Sequence, residues 1–254
     1  MPHWLPFPMR YGLRYVGRRL AAVAAAAALV ALAAAPQTST IFDSYRAALV
    51  SRKIPANMEF EYTVTRSGPN RIVTEQHRVY WTAQGLERND TIAVNGTPRV
   101  PPRSRLLRRA VWPYDVSQFA VSTDEYDVAR PILGSVAGRK AYVFTLTRST
   151  QADFMITSLY VDAVSRLPLR ETYVVTGSDC QGSGSIDFLP TGGHWLPIFV
   201  SVVCTGPAQG ASPAPIYKEA IRFINYRFPV AIPPDVFGQT PSSAASNEPA
   251  PLSP

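Results

Sequence analysis

The stretch CQGSGSIDFLPTGGHWLPIFVSVVC, Cys180 to Cys204, decides how this sequence folds, because it begins and ends with the only 2 cysteines of the chain. Around Thr191-Gly192-Gly193 it reads as a hairpin, in which the glycines supply the left-handed φ values that a tight three-residue loop needs. Without a bulge, the pairing sets Phe188 opposite Leu196, Ile186 opposite Ile198, Gly184 opposite Val200, Gly182 opposite Val202 and Cys180 opposite Cys204, all on one face. Directly opposed strand residues have Cα separations of about 4.5–5.5 Å, which a disulfide accepts. In an oxidising compartment Cys180 and Cys204 are therefore expected to bond. Gly182 and Gly184 leave that apolar face without side chains at two successive positions, which permits strong bending or leaves room for a ligand.

The N-terminus supplies the compartment. Arg10, Arg14, Arg18 and Arg19 precede the unbroken apolar run Leu20–Ala35, with no acid before it. A basic head followed by a short apolar run is how a secretory signal is built, so residues 1–35 read as a signal peptide or as an N-terminal membrane anchor carried by residues 20–35. The protein is expected to be exported, to a periplasmic or other extracytoplasmic space. Of the 25 Lys+Arg, four lie before Leu20, leaving 21 against 18 Asp+Glu. That balance gives little ground for nucleic-acid binding. One basic cluster remains, RVPPRSRLLRR, with Arg99, Arg103, Arg105, Arg108 and Arg109. It reads either as a solvated face or as a contact for acidic headgroups or a protein partner, with Arg105, Arg108 and Arg109 the candidates.

Ile41, Phe42, Tyr45, Ala48 and Leu49 recur at one-sided helical spacing, which predicts a short amphipathic helix. From Asn57 the period changes to two: Met58, Phe60, Tyr62 and Val64 share a face, and short strand candidates follow at hairpin spacing as far as Phe228. Strand-helix-strand alternation does not occur, so an antiparallel meander is expected rather than a parallel sheet. Between Thr97 and Thr123 the alternation lapses into a Pro- and Arg-rich segment that reads as a flap with a short helix near Arg103 to Val111. The last residues, 239–254, have almost no apolar side chain to bury and read as a disordered Pro/Ser-rich tail. Residues 36–238 are thus one α+β, mainly antiparallel domain: a curved, incomplete β-barrel of about nine to eleven strands, with an N-terminal helix and a short helical flap over its concave face.

The succession YDVARPILGSVAGRKAYVFTLT, SLYVDAVSRLPLRETYVV, GGHWLP and FPVAIPPDVF resembles the lipoprotein-localisation (LolA/LolB-like) superfamily of periplasmic lipoprotein carriers and related lipid-binding or sensor domains. Its strongest carriers are Tyr160-Val161-Asp162 leading to Leu167-Pro168-Leu169-Arg170, and the run Ile232 to Phe237. The resemblance implies an incomplete barrel wrapped around helices that lid a hydrophobic cavity for acyl chains. The lid arginine of the family's carriers has no matching position in this sequence.

Signs of catalysis are absent from the sequence. Past residue 35 the only histidines are His77 and His194, and neither stands at metal-ligand spacing from another donor. Gly182 to Ser185 is not a nucleophile elbow, since it lies in a hairpin strand where an elbow needs a strand-to-helix turn. Asp124, Glu125 and Asp127 read as surface acids at a strand start, and no cofactor is implied. Function is expected to be binding: a carrier of lipid or of the acyl chains of lipoproteins, or else an envelope sensor or adaptor whose partner is a protein. For the carrier, Phe60, Tyr62, Tyr142, Phe144, Ile186, Phe188, Ile198 and Val200 are the cavity-lining candidates, residue types that serve equally in an ordinary core.

Overall fold

The computed structural model describes residues 36–108, 110, 115–177, 180–206 and 214–238. The signal or anchor, the C-terminal tail and Arg109 lie outside the described residues.

A helix, α1 (Pro36–Ser51), precedes the sheet. The strands are β1 (Asn57–Gly68), β2 (Arg71–Thr82), β3 (Leu86–Val94), β4 (Thr97–Arg108), β5 (Tyr126–Val128), β6 (Ile132–Val136), β7 (Arg139–Arg148), β8 (Phe154–Asp162), β9 (Pro168–Gly177), β10 (Cys180–Thr191), β11 (His194–Thr205) and β12 (Ile216–Arg227). A 3-10 turn at Val116–Phe119 falls between β4 and β5, and a short helix, α2 (Pro234–Gly238), follows β12. All strand pairs are antiparallel and form one 12-stranded sheet in the order β4-β3-β2-β1-β12-β11-β10-β9-β8-β7-β5, with β6 also on β7. The pairing of β1 with β12 joins the two ends of the chain's meander, while β4 and the β5/β6 end remain apart, so the sheet is a curved half-barrel that does not close.

Local chemistry explains the hairpins. Two-residue turns at Asn95-Gly96, Ala137-Gly138 and Gly192-Gly193 all carry positive φ at both positions, the geometry that matches the twist of the flanking strands. The β8–β9 turn is built on Asp162, only 2 % exposed. It accepts from the Val164 and Ser165 N–H groups at 2.9 and 2.7 Å and from Arg139 Nε at 2.8 Å. Burial pushes its pKa up, but these donors outweigh that and hold the carboxyl below its ordinary range. The Asp162-to-Leu167 motif is therefore a structural turn.

Three details depart from the sequence reading. First, Thr97–Arg108 is a strand where a flap with a short helix was expected, which takes the strand count past eleven. Pro98, Pro101 and Pro102 argue against a central strand, but β4 is an edge, where half of the N–H groups have no ladder partner to lose. The helical turn comes later, at Val116–Phe119.

Second, the β10–β11 register differs. Thr191 pairs with His194, so the loop has two residues instead of three. Ile198 is then bulged out between the pairs Asp187–Phe199 and Phe188–Pro197. The two changes add, so Cys204 lies opposite Gly182 and Val202 opposite Gly184, while Cys180 pairs with Gly177 of β9. Because the total shift is two residues, the face assignment of this half of the hairpin survives.

Third, the glycines leave no empty space. A Cβ on Gly182 would lie 1.9 Å from the Val203 carbonyl oxygen, and one on Gly184 would lie 2.2 Å from Ser201 O and 2.4 Å from Tyr173 Oη. They permit close approach of the β10 and β11 backbones, and Tyr173 covers Gly184. At this crossing Cys180 and Cys204 form a disulfide with a Cα–Cα distance of 5.2 Å.

Candidate functional site

The concave side of the half-barrel is the apolar side. Alternation along β1 turns Met58, Phe60 and Val64 inward, and along β9 it turns Glu171, Tyr173 and Val175 inward, while Leu169, at a bulge, packs in a second cluster with Val136 and Ala141. Five of the sequence-derived lining residues, Phe60, Phe144, Ile186, Phe188 and Val200, are buried together in the main hydrophobic cluster. Tyr62 and Tyr142 are half-buried and pack against it, whereas Ile198 is the bulged residue of β11. Tyr62 is not simply an apolar wall. Its ring stacks on His77 at 4.5 Å, its hydroxyl accepts from Asn89 Nδ2 at 2.9 Å, and burial pushes its pKa up to about 12. Nearby, Arg66 donates to Glu75 at 2.7 Å and to Glu219 at 2.6 Å, so the concave face is polar at this end.

Among the described residues, two short pieces of the chain pack into the apolar region. Spacing at i, i+3 and i+7 along α1 puts Phe42, Tyr45 and Leu49 onto the sheet, and all three are buried. Phe42 meets Phe144 edge-on at 5.7 Å. From the 3-10 turn and its exit come Val116, Phe119 and Val121, with Phe119 against Phe188 at 6.4 Å. Turn and helix are tied together. Arg52 Nη2 donates to Asp115 Oδ1 at 2.5 Å, Asp115 caps the turn through Ser117 N at 2.8 Å, and Val121 N donates to Tyr45 Oη at 3.2 Å. Below α1, His194 Nδ1 donates to the Lys53 carbonyl oxygen at 3.0 Å. The open concave space expected beside Gly182 and Gly184 is thus occupied by the protein's own side chains. An open depression of about 240 Å³ lined by Glu61, Tyr62, Thr63, Gln76, His77, Ile92 and Ile224 has no wall from α1.

One residue of this face escaped the sequence reading. Glu171 is 1 % exposed, and among the described residues neither carboxyl oxygen has a hydrogen-bond partner. Its strand neighbours are Leu159 and Ile186, both buried. Desolvation pushes the Glu171 pKa well above the ordinary value near 4.5. The signal was present in LPLRETYVV: the period-two reading that puts Leu169, Tyr173 and Val175 on one face puts a lone acid there too.

On the edge strand, Arg105 and Arg108 are exposed, as are Arg99 and Arg103. Arg105 stands opposite Asn89 and Arg108 opposite Leu86, on the strand furthest from β5. Among the described residues, no group of three or more His, Cys, Asp or Glu is placed to hold a metal ion, and no helix is long and apolar enough to cross a membrane.

No protein-family model matches the chain, and no curated protein matches it. Solved structures with a similar sheet include a putative outer membrane lipoprotein-sorting protein domain from Vibrio parahaemolyticus, at 7% identity and a TM-score of 0.44, covering 79% of this chain and 97% of that one. A DUF1329 family protein from Desulfovibrio piger is similar at 13% identity and a TM-score of 0.42, over 79% of this chain and 96% of that one. A LolA superfamily protein from Nitrosomonas europaea is similar at 10% identity and a TM-score of 0.39, over 80% and 98%. At these identities and TM-scores, they assign neither a ligand nor a partner.

Proposed function

We propose that this chain is an exported, non-catalytic carrier whose half-barrel receives an apolar chain, such as the acyl chain of a lipid or lipoprotein, when α1 lifts from the concave face. The observation that carries this reading is the way the face is covered. Much of what fills it is one helix contributing three buried side chains, Phe42, Tyr45 and Leu49, and joined to β1 by the short link 52–56.

Magnitudes make the exchange feasible. Lifting three large apolar side chains off the sheet costs about 1.5–3 kcal/mol each, and a buried methylene contributes about 0.8 kcal/mol. A chain of roughly a dozen methylenes therefore offsets the loss of these three side chains, by a margin that the Arg52–Asp115 tie of helix to turn reduces, which suits a carrier that must also release its load. Pre-existing open and closed states, biased by the ligand, are sufficient for this. The test is native mass spectrometry of protein purified without detergent. A co-purifying lipid mass that is lost on delipidation and restored by added lipid supports the carrier. Unliganded protein that takes up no lipid after incubation with it contradicts the reading.

The exposed arginines of β4 favour a second reading, an adaptor that docks on anionic headgroups or an acidic protein surface. Replacing Arg105 and Arg108 with Ser should then weaken binding to anionic vesicles in a salt-dependent way without lowering thermal stability. Unchanged vesicle binding would leave these arginines as a solvated edge.

A further inference from the structure

We infer that Glu171 is the recognition group for the polar end of the ligand, and that the ligand is an amphipathic molecule bearing a protonated amine at the end of its apolar chain. This rests on the carrier reading and names the chemistry of its site. The carboxyl lies mid-strand on the concave face, flanked across the sheet by Leu159 and Ile186 and along β9 by Tyr173, all of them buried. Both its oxygens are buried without a hydrogen-bond partner among the described residues. Buried carboxyls are almost always paired, because a polar group taken out of water without a partner costs free energy that an apolar residue of the same shape would not.

The concave face that carries Glu171 is covered in part by the helix that moves in the carrier reading. Tyr45, fully buried, is one of the α1 side chains packed into the concave cluster. When the helix lifts, Tyr45 leaves with it, and Glu171 becomes the polar point on an apolar floor. Protonated, the carboxyl has one O–H to donate; ionised, it needs donors for both oxygens. An ammonium carries three donors and a positive charge, so it satisfies both oxygens and restores the ionised carboxyl through a charge-assisted pair. A neutral ester offers no donor and can pair only with the protonated carboxyl, and a carboxylate adds a like charge once Glu171 is ionised.

The experiment compares long-chain probes of equal length with different heads: an alkyl amine, an alcohol, a methyl ester and a carboxylate. Each displaces an environment-sensitive acyl fluorophore from the full-length chain. The amine should bind at least ~10-fold more tightly than the ester, and the carboxylate should bind worst. In Glu171→Gln the amine's advantage should fall to about twofold or less while ester binding is kept. Glu171→Leu, which removes the unpaired group altogether, should behave likewise. If wild-type protein takes up the amine and the ester equally, or if the preference survives in Glu171→Gln, the assignment of Glu171 is wrong and the carrier reading stands. If wild-type protein takes up none of the probes, both readings fall. The head-group comparison on wild-type protein decides the matter even if neither variant folds.

Discussion

Arg52, at the foot of α1, donates through Nη2 to Asp115 Oδ1 at 2.5 Å, clasping the helix to the 3-10 turn although the two residues are 63 positions apart in the chain. Both side chains are largely buried, at 12% and 20% exposure, so the pair is shielded from the screening that makes surface ion pairs weak. Arg52→Met, which keeps the apolar stem, should destabilise the domain by about 1.5–3 kcal/mol in denaturant titration. It should also speed the uptake of an acyl probe, because the clasp holds the closed state. Slower or unchanged uptake would mean that helix and turn do not open together.

Glu171 gives stability a pH dependence of definite sign. Its pKa in the folded protein lies above the ordinary value near 4.5, so the native state holds the proton more tightly than the unfolded chain. Its contribution is therefore fully present below about pH 4.5 and is lost as pH rises toward the folded pKa. Glu171→Leu should remove this loss. Thermal melts of variant and wild type should differ more at pH 8 than at pH 5, with the variant the more stable at pH 8. A constant difference would show that the carboxyl is not held protonated by its surroundings.

The Cys180–Cys204 disulfide closes a loop of 24 residues' separation. Replacing both cysteines with Ser should cost about 3 kcal/mol, measured by denaturant unfolding under oxidising conditions. Wild-type protein treated with reductant should lose a similar amount. A loss under 1 kcal/mol would mean that the β10–β11 crossing holds itself.

Gly184 separates a tight contact from an empty one. Gly184→Ala drives a methyl into Ser201 O and Tyr173 and should destabilise by about 1–3 kcal/mol, whereas Gly177→Ala, whose Cβ would meet only Cys180 O at 3.9 Å, should stay within about 0.5 kcal/mol of wild type. Equal effects would contradict the close approach at Gly184.

What was legible in the sequence follows from which interactions are local. The 3.6-residue spacing of Phe42, Tyr45 and Leu49 and the period-two spacing of Met58, Phe60 and Val64 are written in neighbouring positions, so helix, strands and the buried face could be read directly. The Cys180–Cys204 bond was legible even though the assumed register was not, because the shorter turn and the Ile198 bulge shift the strand by two residues and keep both cysteines on one face. Non-local facts were hidden. That β4 is an edge which tolerates three prolines depends on where the sheet ends, and that α1 fills the concave face depends on packing between distant segments. Glu171 lies between the two cases: its face was readable, while its lack of a partner emerges only when α1 and the sheet are brought together.

The central claim is that α1 is displaced by an apolar chain. Hydrogen exchange of the amides of residues 41–51, measured with and without a saturating fluorescent acyl probe, tests it most directly, because exchange reports opening of the helix itself. The account predicts saturable uptake with one probe per chain, accompanied by faster exchange along α1 and unchanged protection in β9, β10 and β11. Saturable uptake with α1 as protected as before, or no uptake at all, would contradict it.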